Sequence, residues 1–163
     1  MKIIRLILLV LCGILIILQF VRPPKNVSEV NPNDITTTFS VHSDVQQILR
    51  ISCYDCHSNS TRYPWYAEIQ PVGWWLNGHI QDAKKELNFS EFASFRVRRQ
   101  YKKLEEVIEQ LNTDKMPLPS YLLIHTDAKL STDHKNRLTD WANALRDSIK
   151  EHYPADSLVI KRR

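Results

Sequence analysis

The chain is expected to be all-α, with one N-terminal helix crossing a membrane and then a small domain of about four helices. Three observations predict this. Ile3 to Val21 is nearly continuous Leu, Ile and Val, broken only by Arg5, Cys12, Gly13, Gln19 and the equally apolar Phe20. Four later stretches place apolar residues at the helical period, and nothing reads as a βαβ unit. Once its ends are removed, a chain of 163 residues leaves room for one compact domain.

The first element, residues 3–21, is just long enough to be expected to span a bilayer. Lys2 and Arg5 ahead of it favour a cytoplasmic N-terminus, although Arg22 and Lys25 beyond it weaken that bias. A cleaved signal peptide needs small residues before the cut, and the first Ala in the chain is Ala67. Lipidation at Cys12 is disfavoured by the bulky Leu11 before it. Residues 1–22 are therefore read as an uncleaved anchor. Residues 23–39, with Pro23, Pro24 and Pro32 among Asn, Thr and Ser, read as a semi-rigid linker. Residues 40–153 form the domain and 154–163 a loose basic tail.

Charge argues against a nucleic-acid binder. Of the 22 Lys and Arg, residues 1–29 hold four and the last three residues another three. The remaining 15 stand against 17 Asp and Glu, so the high pI comes from the termini and not from a binding face.

Within the domain, Ser43 is expected to cap a first helix in which Val45, Ile48 and Leu49 share a face. That stripe continues into Cys53 and Cys56. The run Cys53-Tyr54-Asp55-Cys56-His57 is a C-x-x-C-H sequence, the pattern of c-type haem attachment. Two thiols three apart on a helical turn point the same way and can add across the two vinyl groups of one porphyrin. His57 follows and offers its imidazole to iron as the proximal ligand. The competing readings are a redox C-x-x-C, half a zinc site, or coincidence. The first wants a βαβ context, and the second wants four ligands, whereas the only other Cys is Cys12. Pro64 and Pro71 are candidate carbonyl partners for the second nitrogen of His57.

A second helix is expected to carry Val72, Trp75, Leu76, His79, Ile80, Ala83 and Leu87 on one face. Its His79 is either a core histidine or a sixth iron ligand. Asn88 to Phe95 reads as a connection with Phe89, Phe92 and Phe95 available to pack. Val97, Tyr101, Leu104, Ile108 and Leu111 define the third helix. Arg96, Arg98, Arg99, Lys102 and Lys103 crowd its start, facing either solvent or an anion such as haem propionates or an acidic redox partner. Pro117 and Pro119 hold Met116 in an extended loop, with Leu118, Leu122 and Leu123 placed to shield it. Ser131 caps the last helix, whose inner face is Leu138, Trp141, Ala142, Leu145 and Ile149. That helix ends near Tyr153.

Apart from Met1, Met116 is the only Met in the chain, which makes it the expected distal ligand. His79 is the alternative, and His42 and His125 are weaker ones.

The arrangement resembles a class I cytochrome c, with C-x-x-C-H closing the first helix and Met-Pro in a loop before the last. It more closely resembles the small membrane-anchored proteins of the haem-binding domain family. That likeness rests on Cys53 to Asn59, Thr61, Tyr63-Pro64-Trp65-Tyr66 and Ile69 to Trp75. It also includes Leu87-Asn88-Phe89-Ser90, Met116-Pro117-Leu118 and the run into Trp141, covering about residues 40–145. The resemblance implies a single covalent haem outside the cytoplasmic membrane and no established reaction.

The functional expectation is a mono-haem c-type electron carrier on a single-pass anchor, at the outer face of the cytoplasmic membrane, serving a redox protein partner. A haem sensor or peroxidase-like enzyme with an open sixth site is one alternative. A haem-free structural or zinc-binding module is another.

Overall fold

A computed structural model describes residues 1–28 and 30–159. The described residues are helical, with no strands. In chain order the α-helices are α1 (Lys2–Leu18), α2 (Ile35–Thr38), α3 (Ser43–Ser52), α4 (Tyr54–His57), α5 (Val72–Glu86), α6 (Val97–Asn112), α7 (Pro119–Leu122), α8 (Thr132–His152) and α9 (Ala155–Leu158). Short 3₁₀ turns at Trp65–Glu68, Phe89–Ser94 and Thr126–Ala128 link them.

The predicted membrane-crossing helix is corrected. No helix among the described residues is long and apolar enough to cross a membrane. Helix α1 has 17 residues, which at about 1.5 Å of rise per residue falls short of a hydrocarbon core about 30 Å thick. It stops at Leu18 because the chain is then tied to the domain. The Gln19 side-chain amide donates to the Gln70 carbonyl (3.1 Å), and the Gln70 N–H donates back to Gln19 Oε1 (2.9 Å). The Trp74 indole N–H donates to the Val21 carbonyl (2.7 Å), and both Arg22 and Lys25 pair with Glu68. None of α1's own residues is buried.

Residues 23–39, read as a linker, make buried contacts of their own. Asn26 is buried and donates to the Ser58 carbonyl (2.8 Å) and to Thr61 Oγ1 (2.9 Å). Asp34 caps α2 through the Thr36 N–H and accepts from the Tyr54 hydroxyl (2.9 Å), while Ile35 is wholly enclosed.

The core lies where α3, α6 and α8 pack together, closed by Phe89 and Phe92 from the 3₁₀ turn. Leu49, Leu104, Leu138 and Ala142 are each at most 1% exposed, and these carry the hydrophobic stabilisation. The four expected helices correspond to α3 with α4, α5, α6 and α8. Three details differ. The first helix begins one residue earlier, with His42 in the cap position and no side-chain cap from Ser43. Helix α5 is rotated from its predicted face, burying Gly73, Leu76 and Ile80 while Val72 and Trp75 are exposed. Pro119 does not keep its loop extended throughout. It occupies the first turn of α7, where a missing N–H costs nothing.

Gly73 is required by close approach: a Cβ there would lie 2.4 Å from the Ala67 carbonyl oxygen. Ser131 caps α8 as expected, accepting from the His134 N–H (3.1 Å). Beyond α8, Leu158 is buried and α9 packs on α6. The basic end, Lys161 to Arg163, lies outside the described residues.

Candidate functional site

Cys53 breaks the first domain helix. With φ −128° and ψ −42° it leaves the helical basin, so Tyr54 to His57 form a separate turn, α4. The break is hydrogen-bonded throughout. The Cys53 N–H donates to the Leu49 carbonyl, and the Cys53 carbonyl accepts from the N–H groups of Cys56 (3.2 Å) and His57 (2.9 Å).

His57 Nδ1 lies 2.9 Å from the Leu87 carbonyl. A carbonyl only accepts, so Nδ1 carries the proton and Nε2 is left with a free lone pair. The orienting carbonyl thus belongs to Leu87 and not to Pro64 or Pro71. Burial holds the His57 pKa below the ordinary histidine value, and the Lys103 cation adds to this against the Leu87 bond. The imidazole is therefore neutral, as a metal ligand requires. Phe89 packs edge-on to it at 6.4 Å, and Tyr54 stacks on Phe89 at 5.5 Å.

Cys53, His57 and Met116 line one cleft of about 480 Å³, within the range of small-molecule and cofactor sites. Its walls are mainly apolar, including Leu49, Leu87, Phe89, Val107, Leu111 and Leu138, with Ser52, Glu86, Lys103, Glu106, Glu109 and Gln110 as polar lining. Cys56 is half-buried on α4 and is not part of that lining. Burial, reinforced by the neighbouring Cys56, pushes the Cys53 thiol up to about 12. Burial, with the Asp55 charge beside it, pushes Cys56 up to about 11. Both thiols are free and protonated at neutral pH.

The other candidate ligands lie elsewhere. His79 does not line the cleft; its Nδ1 bonds the Trp75 carbonyl (3.1 Å) and its ring packs on Trp75 at 4.2 Å. His42 is exposed. His125 bonds the Tyr66 hydroxyl (2.7 Å) through Nε2 and stacks on Tyr121 at 4.2 Å. Of the three leucines expected to shield Met116, Leu123 is 81% exposed and none lines the cleft. Arg96, Arg98, Arg99 and Lys102 line a separate groove of about 1040 Å³ with Arg146, which contains none of the expected ligands. Lys103 alone of that cluster reaches the cleft, bonded there to Glu86 and Glu106.

Sequence reasoning missed Leu87 as the orienting acceptor, Phe89 as the wall beside His57, and the roles of Asp55 and Tyr121. Asp55 is buried inside the motif itself, where the Tyr121 hydroxyl and the Arg62 guanidinium converge on it. The only available signal was its position between the two cysteines.

The donor set suits a haem: an oriented neutral imidazole, a thioether on the same cleft, two neighbouring thiols and apolar walls for a porphyrin. Among the described residues, no three of His, Cys, Asp and Glu gather as a site for a metal ion. The chain belongs to the haem-binding domain family, whose model matches residues 13–144. It is a haem-binding protein of all-helical fold. No curated protein and no solved structure matches it significantly.

Proposed function

We propose that the chain is a mono-haem c-type electron carrier. In this reading Cys53 and Cys56 hold the haem covalently, His57 is the proximal ligand and Met116 the distal one. The observation that carries the reading is convergence: Met116, 59 residues beyond His57 in sequence, lines the same apolar cleft as His57 and Cys53. Once bound, haem iron supplies a one-electron couple whose potential a Met ligand raises relative to a second His.

The residues divide the work. Cys53 and Cys56 would hold the porphyrin through thioether links, each thiol supplying the S–H that a vinyl group takes up whole. No oxidant is consumed. Leu87 fixes the tautomer and ring plane of His57 through the 2.9 Å bond, leaving the Nε2 lone pair free to hold a metal. Phe89, Leu111 and Leu138 give the cleft apolar walls against which a porphyrin would pack.

Haem staining after denaturing electrophoresis tests the covalent link. The stain is expected to stay with the 19.1 kDa chain and to vanish when Cys53 and Cys56 are both replaced by Ser. Extraction of all colour by acid–acetone would overturn it.

A lipid surface at the outer face of the cytoplasmic membrane is the partner proposed for residues 3–21. Helix α1 leaves its apolar side chains exposed on every side, and the domain edge holding its end adds exposed Trp65, Ile69 and Trp75. Tryptophan favours the membrane–water interface. The full chain is expected to float with liposomes, whereas a chain starting near Asn26 is not. Flotation of neither would reject the proposal.

A further inference from the structure

We propose that Asp55 is a positioning residue for the iron site: through Tyr121 its carboxylate holds the loop bearing Met116 against the C-x-x-C-H turn. The inference rests on Met116 being the distal ligand.

Asp55 is 7% exposed and accepts on both oxygens. Its Oδ1 takes the Arg62 backbone N–H (3.2 Å) and Arg62 Nε (3.0 Å); its Oδ2 takes Arg62 Nη2 (3.0 Å) and the Tyr121 hydroxyl (2.8 Å). A carboxylate accepts several bonds and donates none, which matches four donors arriving from two segments. The Asp55 carbonyl also takes the Thr61 hydroxyl (2.7 Å), so the residue itself is fixed from both its side chain and its backbone.

Tyr121 sits on α7, five residues beyond Met116. Among the described residues, segment 116–125 makes two side-chain hydrogen bonds to the rest of the fold: Tyr121 to Asp55, and His125 to Tyr66 (2.7 Å). Both act on one stiff unit. The His125 N–H donates to the Tyr121 carbonyl (3.1 Å), and the two rings stack with an interplanar angle of 10°. The bond to the buried Asp55 carboxylate is charge-assisted and is the stronger of the two ties. Because Asp55 lies between the two thiols in sequence, it refers the thioether's loop directly to the turn that holds the porphyrin. Loss of the tie raises the fraction of molecules in which Met116 has left the iron. An external ligand that competes with Met116 then binds more tightly by that factor.

The test uses full-length, haem-loaded protein and carbon monoxide as the probe of the ferrous sixth site. Tyr121→Phe removes only the hydroxyl. It is expected to raise CO affinity about tenfold or more, to weaken the near-infrared sulfur-to-iron band and to lower the reduction potential. Asp55→Asn keeps a polar group of the same size without the charge and is expected to shift all three the same way by less. A merely structural role would lower the melting temperature while leaving CO affinity and the band at parental values. That result in both variants, with Met116→Ala moving CO affinity and band, overturns the positioning role alone. If Met116→Ala itself leaves both unchanged, the ligand assignment fails and this proposal fails with it.

Discussion

The C-x-x-C-H turn and the Met116 loop line the same cleft but are secured very differently. The turn is bound through its backbone: Cys53 links α3 to α4, the Asn26 side-chain amide donates to the Ser58 carbonyl, and the Ser90 hydroxyl accepts from the Asn59 N–H (3.1 Å). Ser58 is wholly buried, and His57 is oriented by Leu87. The loop from Met116 to His125 instead relies on two side-chain hydrogen bonds, with Leu123 and Ile124 exposed. The side proposed to carry permanent bonds is thus over-determined, and the side proposed to carry an exchangeable ligand is lightly held. Such asymmetry suits a site whose potential and ligand access are set from one flank.

The largest effect is expected from breaking the over-determined side at its wall. Phe89 is 2% exposed and packs against both the His57 ring and Tyr54. Phe89→Ala deletes a fully buried ring and is expected to cost about 3–5 kcal/mol of stability. Denaturant titration measures it, and a loss below about 1 kcal/mol would show that the wall is not part of the cooperative core.

The next effect concerns the haem-free chain and asks whether the turn is folded before haem arrives. Burial raises both motif thiols, Cys53 to about 12 and Cys56 to about 11. A reagent that attacks thiolates should therefore modify Cys56 about a hundredfold, and Cys53 about a thousandfold, more slowly at pH 8 than an ordinary thiol. Exposed Cys12 is the internal reference. Equal rates at all three cysteines would mean that the turn is unfolded without haem.

The sign for stability follows from which state holds the proton. Above the ordinary value of 9.0 the unfolded chain has lost thiol protons that the folded chain retains. Stability in the haem-free chain accordingly falls as pH rises from there through about 11 and 12. His57 works at the other end. Its folded pKa is depressed, so stability falls as pH drops below the ordinary 6.5, where only the unfolded chain gains the proton.

How much of this was legible in the sequence follows the same asymmetry. Apolar period placed the helices, because burial of one face is a local pattern, and Leu138, Trp141, Ala142 and Ile149 are buried as expected. The likeness to the haem-binding domain family agrees with the family match over residues 13–144. The break at Cys53 was not legible, since the stripe through Leu49 to Cys56 reads as one helix. Helix α5's rotation was hidden for a related reason: Trp75 and Val72 count as apolar but face outward. The Leu87 carbonyl had no signal at all, because a backbone acceptor can belong to any residue type. Residues 3–21 are apolar enough to read as a span, yet Gln19 leaves the helix to bond Gln70, a tertiary event invisible in a hydropathy window.

The smallest expected effect sharpens the comparison by ranking the loop's two ties. Tyr66→Phe removes the 2.7 Å bond to His125 and nothing else. Tyr66 is half-exposed and the bond does not involve a carboxylate, so it contributes about 0.5–1 kcal/mol to stability. His125 would remain stacked on Tyr121 at 4.2 Å, and Tyr121 would remain bonded to the buried Asp55 carboxylate. Ferrous CO affinity in haem-loaded Tyr66→Phe is therefore expected to stay within about threefold of the parent. Tyr121→Phe, which loses the charged tie, should exceed that. A larger response in Tyr66→Phe than in Tyr121→Phe would move control of the distal loop from the C-x-x-C-H turn to the aromatic turn at Trp65–Glu68, where the surface and not the motif sets the iron's second ligand.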